Sequence, residues 1–436
     1  MKFVGRARLV LLILLLFGAG CDAQRKPVSR ESMAGSFADA RAILIQNAAL
    51  VITMDPALGE GPLGIVEGGD LWIAGGKIVA VGHNLRAAAG LKPLDASGKI
   101  VLPGFVDTHD HLWQSVIRGC ASDQDLYGWL DACVFPMRQA MITEDEAYAV
   151  VRLSTLGLIA TGVTTVLDWS HTFSPEFVRG NLRALRDSRL RFVFAQQVTP
   201  AARHGCGEAR RSQQALVDTQ PLAGFQIAAH PTMANLQSFA EAVRCAQELH
   251  VPLNVHVGEN VRDRHAEQIR AMELAGAFDG PLLINHAIHV TDQEVALLAR
   301  HGVSVAHNPL SNMRLASGIM RLPEMHEAGL KIGLGLDGGT NDTTDMFANM
   351  KAAVGLQRAR LQRADTFPGI ADVLRMATLG GAEVLGLQKG VGSLTPGKKA
   401  DVIILDPSGR NFAPHWDWPS QIILNGQPSN VEYVFV

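Results

Sequence analysis

The sequence predicts an α/β protein, a (β/α)8 TIM-type barrel with a small β-sandwich domain formed from N- and C-terminal segments. From Val101 onward, buried apolar runs of strand length alternate with amphipathic stretches of helix length, which is typical of a parallel sheet. The number of these units and their combined length suit a closed barrel. Short β segments on both sides predict the second domain. The chain has 436 residues, 47% of them hydrophobic, which is enough for both cores.

Eight apolar runs are the candidate barrel strands, and polar residues collect where several of them end. Active sites of such barrels lie at the carboxyl ends of the strands, so these positions are the first place to look for chemistry. The predicted strands are Val101–Asp107, Val163–Asp168, Arg191–Val198, Phe225–His230, Leu253–His256, Leu282–His286, Val303–His307 and Ile332–Asp337.

Segments with the alternation and turn residues of short strands flank the barrel region. Gly75-Gly76 separates two of them and is a hairpin signal. We assign residues 41–100 and 388–436 to the two parts of the small domain, and residues 101–387 to the barrel. The predicted flanking strands are Ala42–Ile45, Leu50–Thr53, Asp70–Ala74, Lys77–Val81, a run into Ile100–Leu102, Asp401–Leu405 and Ser420–Leu424.

Residues 1–21 have the features of an export signal. A basic start precedes the unbroken apolar run Leu9–Phe17, which is too short to span a bilayer comfortably. Small residues then lead to Cys21, a pattern that resembles a bacterial lipoprotein signal, in which this cysteine is lipidated. A simply cleaved signal is the alternative. We therefore expect an exported, periplasmic protein, anchored to the membrane if Cys21 is lipidated, with residues 22–40 as a polar tether.

Charge and cysteine content narrow the classes of partner. The net charge is −3, so it gives no reason to expect nucleic acid or anionic lipid as a partner. An even number of further cysteines in an exported protein permits disulfides, but their spacing includes no CxxC pair and no dense framework. We expect buried free thiols at Cys120, Cys133, Cys206 and Cys245.

Histidines and one carboxylate stand at the ends of the predicted strands. His109 and His111 follow the first strand at alternate positions, so both imidazoles point to one side. His256 ends the fifth strand, His286 the sixth and Asp337 the eighth. Imidazoles with one carboxylate suit a divalent transition metal that keeps a position for water. The set as a whole predicts a metal centre, which a lone HxH pair would not.

Several motifs make this chain similar to the amidohydrolase superfamily. Four of them are PGFVDTHDH at 103–111, HVGE at 256–259, HAIH at 286–289 and GLDG at 335–338. SNMRLASG at 311–318 and the closing stretch 392–401 narrow the resemblance to the branch of triazine hydrolases and of cytosine, guanine and S-adenosylhomocysteine deaminases. The resemblance covers residue 42 to the end. Because relatives usually continue further, we expect the second part of the small domain to be truncated.

The resemblance implies a metal site made of His109, His111, His256 and Asp337. Glu259 would be the proton shuttle, and His286 would orient the reactive water or the substrate. Elementary chemistry agrees, because a metal lowers the pKa of bound water to roughly 7. Asp337 can take the proton of that water, and Glu259 can protonate a ring nitrogen and later help to expel ammonia.

One metal ion is expected rather than two. Binuclear members of the superfamily commonly bridge their metals with a carboxylated lysine from the fourth strand. This chain has no lysine between Lys99 and Lys331. For the single divalent ion, Zn²⁺ is the first expectation and Fe²⁺ the second, since the ligand set suits both.

Specificity is expected from side chains around the metal. Trp113 could stack on a planar ring or simply pack, and Gln114 could hydrogen-bond the edge of a heterocycle. His230 aligns with a position that contacts substrate in related deaminases. Gln197 and Asn308 complete the predicted substrate contacts, and Gln196 and His171 are further candidates.

These inferences predict a metal-dependent hydrolase, and more narrowly an aminohydrolase. It would remove an amino group from a nitrogen heterocycle of the purine, pterin, pyrimidine or triazine type, through metal-bound hydroxide. The alternative is hydrolysis of a cyclic amide, or of a chloro- or alkylamino-heterocycle, by the same centre. A binding protein without catalysis is a third interpretation, which the presence of every expected catalytic residue disfavours. We expect a homo-oligomer, because relatives often are.

Overall fold

The computed structural model describes residues 42–86, 91–140, 142–198, 205–217, 223–338 and 344–436, and these residues form two sheets. The predicted signal, tether and Cys21 lie outside the described residues. The strands of the smaller sheet are β1 (Ile43–Ile52), β2 (Ile65–Ala74), β3 (Lys77–Gly82), β4 (Leu94–Asp95), β5 (Ile100–Pro103), β14 (Val402–Leu405) and β15 (Val431–Phe435). The strands of the larger sheet are β6 (Phe105–Asp110), β7 (Val163–Ser170), β8 (Arg191–Gln197), β9 (Gly224–Ala229), β10 (Leu253–Val257), β11 (Leu282–His286), β12 (Ser304–His307) and β13 (Lys331–Leu334).

The larger sheet is the predicted (β/α)8 barrel. Its eight strands run parallel and follow one another in chain order from β6 to β13. Every residue of β7 is buried, as expected for a strand covered on both faces. The helices are α1 (Leu126–Trp129), α2 (Phe135–Met137), α3 (Glu144–Ala160), α4 (Pro175–Ser188), α5 (Cys206–Val217), α6 (Leu236–Leu249), α7 (Gln268–Leu274), α8 (Asp292–Arg300), α9 (Pro309–Arg314), α10 (Leu322–Glu327), α11 (Met346–Leu361), α12 (Ile370–Met376), α13 (Leu379–Val384) and α14 (Trp418–Asn425).

The first and last barrel strands meet beside the predicted metal site. The main-chain nitrogen of Asp337 donates to the carbonyl oxygen of His109 at 2.8 Å. The carboxylate of Asp107 accepts from the main-chain nitrogens of His109 at 3.2 Å and Leu336 at 3.0 Å. Gly335 permits this approach, because a Cβ there would lie 2.9 Å from the Cβ of His109. Barrel closure therefore also fixes the two strand ends that carry candidate ligands.

The small domain predicted from both ends of the chain is a single curled sheet. Its strands follow the order β15-β14-β5-β1-β2-β3, with β4 beside β1. Ile78 of β3 forms main-chain hydrogen bonds with Gly397 and Lys398, in the segment before β14, and these bonds connect the β3 edge with the other end of the sheet. The enclosed face is filled by apolar side chains such as Val51, Leu71 and Ile404.

Two predicted strands are corrected by the structure. The run Val101–Asp107 is divided between the sheets, because β5 ends at Pro103 and β6 begins at Phe105. Between them, a Cβ on Gly104 would collide with Thr164, so the chain crosses from one sheet to the other at a residue without a side chain. The eighth barrel strand ends at Leu334, three residues before Asp337.

The prediction of a strand over Ser420–Leu424 is wrong. These residues belong to helix α14, which follows the N-cap Asp417. The Asp417 carboxylate accepts from the main-chain nitrogen of Ser420 at 2.8 Å. The pattern of a short apolar run is compatible with either a strand or a helix. Here the N-cap at Asp417 favours the helix. The last strand of the small sheet is β15, which pairs with β14.

The prediction of free thiols is wrong as well. Cys120 and Cys133 form one disulfide, and Cys206 and Cys245 form another. The partners are 13 residues apart in the first pair and 39 in the second, and such spacing alone does not reveal which cysteines pair. Among the described helices, none is long and apolar enough to cross a membrane.

Candidate active site

A compact group of metal-binding side chains lies at the carboxyl end of the barrel. His109, His256, His286 and Asp337 each offer a donor atom, and these atoms lie within 4.8 Å of one another. The predicted ligand His111 is next to them, with its Nε2 atom 3.5 Å from Oδ1 of Asp337. The structure thus brings together all five residues that the strand ends suggested.

Hydrogen bonds at the far ring nitrogens distinguish His111 from His286. Nδ1 of His111 lies 2.7 Å from the carbonyl oxygen of Trp169, which can only accept, so the proton is on Nδ1 and Nε2 keeps a lone pair. Nδ1 of His286 lies 2.8 Å from the amide nitrogen of Asn312, which donates, so the proton is on Nε2. This pattern favours His111 as the ligand and His286 as a hydrogen-bond donor.

The residues fit a divalent transition metal. Nδ1 of His256 is buried and has no hydrogen-bond partner among the described residues. Burying a nitrogen without a hydrogen-bond partner costs free energy, unless another group such as a metal ion binds the imidazole. The donor set of imidazoles and one carboxylate is the one that zinc and iron prefer.

Two site residues have strained backbones. His286 has φ of 70° and Asp337 has φ of 61°, in the left-handed region that residues with a Cβ rarely adopt. The hydrogen bond from Asp337 to His109 holds the second of these turns. Strain of this kind persists where the surrounding structure fixes it, and it clusters at functional sites.

Electrostatics separate the two acidic side chains of the site. Burial raises the pKa of Asp337, but the imidazoles of His286, His109 and His111 outweigh it and hold that pKa below its usual range. Burial, and then the charge of Asp337, raise the pKa of Glu259 well above its usual range. The pKa values of the two carboxyl groups are therefore shifted in opposite directions, which is the division of roles that acid–base catalysis uses.

Glu259 lies beside the metal-binding group. Its Oε2 atom is 3.5 Å from Nε2 of His286. The hydroxyl of Ser311 makes a short hydrogen bond to Oδ2 of Asp337. Sequence reasoning gave no role to Ser311 or Asn312, although both belong to the SNMRLASG motif. Through these two residues the motif contacts the side chains of Asp337 and His286.

A cavity of about 370 Å³ opens onto this group. Gln114 and His230, two of the predicted substrate contacts, line it together with His171. Much of one wall comes from the loop closed by the Cys120–Cys133 disulfide. The cavity residues of that loop are Leu126, Tyr127, Trp129 and Leu130.

Three predicted substrate contacts do not line the cavity. Trp113 is 1% exposed, and its indole nitrogen donates to Nδ1 of His171 at 3.0 Å. Gln197 is buried, and its main-chain oxygen accepts from the hydroxyl of Thr172. Asn308 is buried, with its amide nitrogen 3.3 Å from Nδ1 of His286. A position just after a strand end predicts that a residue lies near the site. It does not predict whether the side chain faces the cavity or packs behind the residues that line it.

The fold and the site together define a metal-dependent hydrolase built on a (β/α)8 barrel. A sequence model of the Amidohydrolase family matches residues 100–436. The chain belongs to the amidohydrolase family.

Known proteins similar to this chain are also hydrolases. A 5-methylthioadenosine/S-adenosylhomocysteine deaminase of Pelotomaculum thermopropionicum is 33% identical over 413 residues, which cover 90% of this chain and 92% of the relative. The crystal structure of an adenosine deaminase from Xanthomonas campestris with bound zinc has a TM-score of 0.79 and 26% identity, covering 90% of this chain and 91% of that one. A triazine hydrolase from Arthrobacter aurescens has a TM-score of 0.80 at 23% identity, covering 90% and 93%, and shows the shared fold alone.

Proposed function

We propose that the protein is a metal-dependent aminohydrolase that deaminates a 6-aminopurine ring, as in an adenosine-type nucleoside. The observation that carries the proposal is Glu259, a buried carboxyl with a raised pKa, 3.5 Å from His286 and beside the metal-binding group. Several relatives are named as deaminases of adenine-containing compounds. They favour a 6-aminopurine over the other heterocycles as the substrate.

We propose one Zn²⁺ ion as the cofactor, held by His109, His111, His256 and Asp337. When bound, such an ion supplies a water whose pKa is lowered to roughly 7. The donor set supports zinc, and so does the zinc bound in the similar adenosine deaminase structure. The histidine tautomers support His111 rather than His286 as the fourth ligand.

Deamination adds water to the ring carbon that carries the amine and expels ammonia, so protons must be moved at three atoms. The Asp337 carboxylate accepts the proton that the attacking water loses. The Glu259 carboxyl donates its proton to the ring nitrogen next to that carbon. As the carbon–nitrogen bond breaks, the proton held by Asp337 passes to the departing amine. Glu259 regains its proton from the hydroxyl group that becomes the ring carbonyl, so both carboxyl groups return to their starting states. The Nε2–H of His286 donates a hydrogen bond that orients the attacking oxygen.

Ammonia release from zinc-loaded protein tests the proposal. The panel contains adenosine, 5′-methylthioadenosine, S-adenosylhomocysteine, guanine, cytosine and an aminotriazine, with products identified by mass spectrometry. We expect release from the adenine compounds above all others. Silence across the panel would overturn the proposal. Release of chloride or an alkylamine from a substituted triazine, without deamination, would favour the alternative hydrolase.

We also propose that the enzyme works outside the cytoplasm, anchored through Cys21, and forms a homo-oligomer. The apolar run before Cys21 supports export, as do the two disulfides, because disulfides persist in oxidising compartments. Fractionation of the native host compares wild type with Cys21→Ser, and only wild type should be in the membrane fraction. Light scattering after size exclusion gives the oligomeric state.

A further inference from the structure

His171 lies just after the end of β7 and lines the cavity. The indole nitrogen of Trp113 is 3.0 Å from its Nδ1 atom. An indole N–H can only donate, so Nδ1 of His171 accepts and the ring carries its proton on Nε2. The cationic ring would place two N–H groups against each other at this contact. The hydrogen bond therefore selects one neutral tautomer.

The position of the His171 ring is fixed from several sides. The next residue, Thr172, has φ of 37°, and its hydroxyl donates to the carbonyl oxygen of Gln197 at 2.7 Å. The ring centre of Trp169 lies 5.0 Å from that of His171, and the ring of Phe173 stacks at 6.0 Å. A strained turn and two aromatic neighbours hold the ring in one orientation.

The Nε2–H of His171 is free for a ligand. No hydrogen-bond partner for it occurs among the described residues, and the ring lines the cavity. The ring centre lies 4.7 Å from that of His111, so the group is next to the reaction centre. His171 is neither the proposed proton shuttle nor one of the proposed metal ligands, so the proposed reaction assigns it no role.

We propose that His171 is a specificity-determining residue whose Nε2–H donates a hydrogen bond to a lone pair on a ring nitrogen of the substrate. Trp113 is then a positioning residue that acts through His171 by fixing its tautomer. The proposal rests on the proposed function, because it supposes a heterocycle in this cavity. In a 6-aminopurine the acceptor is N3 or N7, since the third candidate, N1, is the atom that Glu259 protonates.

Deaza analogues test the hydrogen bond directly. Adenosine, 3-deazaadenosine and 7-deazaadenosine are compared as substrates of the zinc-loaded wild type, His171→Phe and His171→Asn. For wild type we expect KM to be about 3- to 10-fold higher for the analogue that lacks the acceptor. The discrimination should vanish in His171→Phe and return in part in His171→Asn, which keeps an N–H donor. In His171→Phe, KM for adenosine should rise more than kcat falls.

Trp113→Phe tests the positioning role. Trp416→Phe is its control, because Trp416 is 91% exposed. Nitrogen-15 spectra of histidine-labelled holoenzyme give the tautomer of His171, assigned by the signal lost in His171→Asn. Wild type and Trp416→Phe should show the Nε2–H form, and Trp113→Phe a mixture.

The outcomes separate the two proposals. The Nδ1–H form in wild type, or equal discrimination by wild type and His171→Phe, would overturn the role of His171 while leaving deamination intact. If the panel is silent, the same three adenosines are tested as ligands by calorimetry. If wild type binds the three adenosines with different affinities and His171→Phe does not, the hydrogen bond is supported although the proposed reaction fails. If wild type shows no such difference in affinity, both proposals are overturned.

Discussion

The carboxyl of Glu259 and the imidazole of His286 face each other at 3.5 Å, with both side chains buried beside Asp337. Burial raises the pKa of Glu259, and the contact between Asn312 and Nδ1 of His286 assigns the imidazole hydrogen to Nε2. Proton transfer and orientation are thus assigned to different groups of one site.

Replacing Glu259 with glutamine should remove the proton shuttle without removing the metal. We expect kcat for ammonia release to fall by about 10²- to 10⁴-fold, the usual contribution of a positioned acid–base group. Zinc content, measured by mass spectrometry, should stay that of wild type because Glu259 is not in the donor group. Glu273→Gln, an exposed position on α7, is the matched control. Loss of zinc together with activity would contradict the assignment.

A methyl group at Gly335 should disturb barrel closure at the metal site. The added Cβ would lie 2.9 Å from the Cβ of His109 and closer still to the Asn308 side chain. We expect Gly335→Ala to lose about 1–3 kcal/mol of unfolding free energy through overpacking, and to bind zinc more weakly. Urea unfolding and zinc titration measure the two effects.

Gly355→Ala is the control for that change. Gly355 lies inside helix α11 with open space where its Cβ would be. Alanine there should stabilise the protein by about 0.5–1 kcal/mol, because glycine is unfavourable in a helix. Equal effects at the two glycines would show that close approach at Gly335 is unimportant.

His307 should make the metal-free protein sensitive to acid. Burial, and then His286, lower the pKa of His307 from its ordinary 6.5 to about 3. Below about pH 6.5 the unfolded chain therefore binds a proton that the folded chain does not. Stability should fall with decreasing pH by up to about 1.4 kcal/mol per pH unit from this residue.

Unfolding free energies of chelator-treated protein, taken from about pH 7 to about pH 4, measure this share. His307→Leu should have a flatter profile than wild type by that slope. His415→Asn, at an exposed position, should follow the wild-type profile. Parallel profiles for His307→Leu and wild type would rule out the buried imidazole as a source of acid sensitivity.

Arg191 should stabilise the junction between the barrel and the small sheet. Its Nε atom lies 2.7 and 2.9 Å from the two carboxylate oxygens of Asp401, which is buried. Arg191→Met leaves that carboxylate unpaired and should cost about 3–5 kcal/mol of unfolding free energy. The double variant Arg191→Met/Asp401→Asn should recover part of the loss, and urea unfolding measures both. No recovery would mean that packing of the arginine stem dominates.

The barrel could be predicted from sequence because its strands are buried on both faces and its ligands stand at strand ends. The run Leu282–His286 was predicted with the bounds that the structure has. The same reasoning placed Asp337 near His109 because carboxyl ends of parallel strands meet at one face of a barrel. Hydrolytic deamination followed from the chemistry of those residues and from the family motifs.

What failed depended on contacts between distant segments. Trp113 is aromatic and close to the HxH pair, but only the packed structure shows that it faces Nδ1 of His171. The pairing of the cysteines was missed because their spacing matches no known disulfide framework, although one pair is only 13 residues apart. The apolar run of α14 read as a strand because five residues contain too little periodicity to separate the two conformations.

The loop closed by the Cys120–Cys133 disulfide lines the cavity but contributes no residue to the metal-binding group. The guanidinium of Arg314 binds the carbonyl oxygens of Cys120 and Ala121, and the hydroxyl of Tyr127 donates to Asp263. The loop is thus held by its own disulfide, by hydrogen bonds from Arg314 to its main-chain oxygens and by one hydrogen bond between side chains. Residues 120–133 therefore contribute part of the cavity wall and none of the metal-binding residues, so exchanging this loop between homologues would alter that wall while leaving the metal-binding group unchanged.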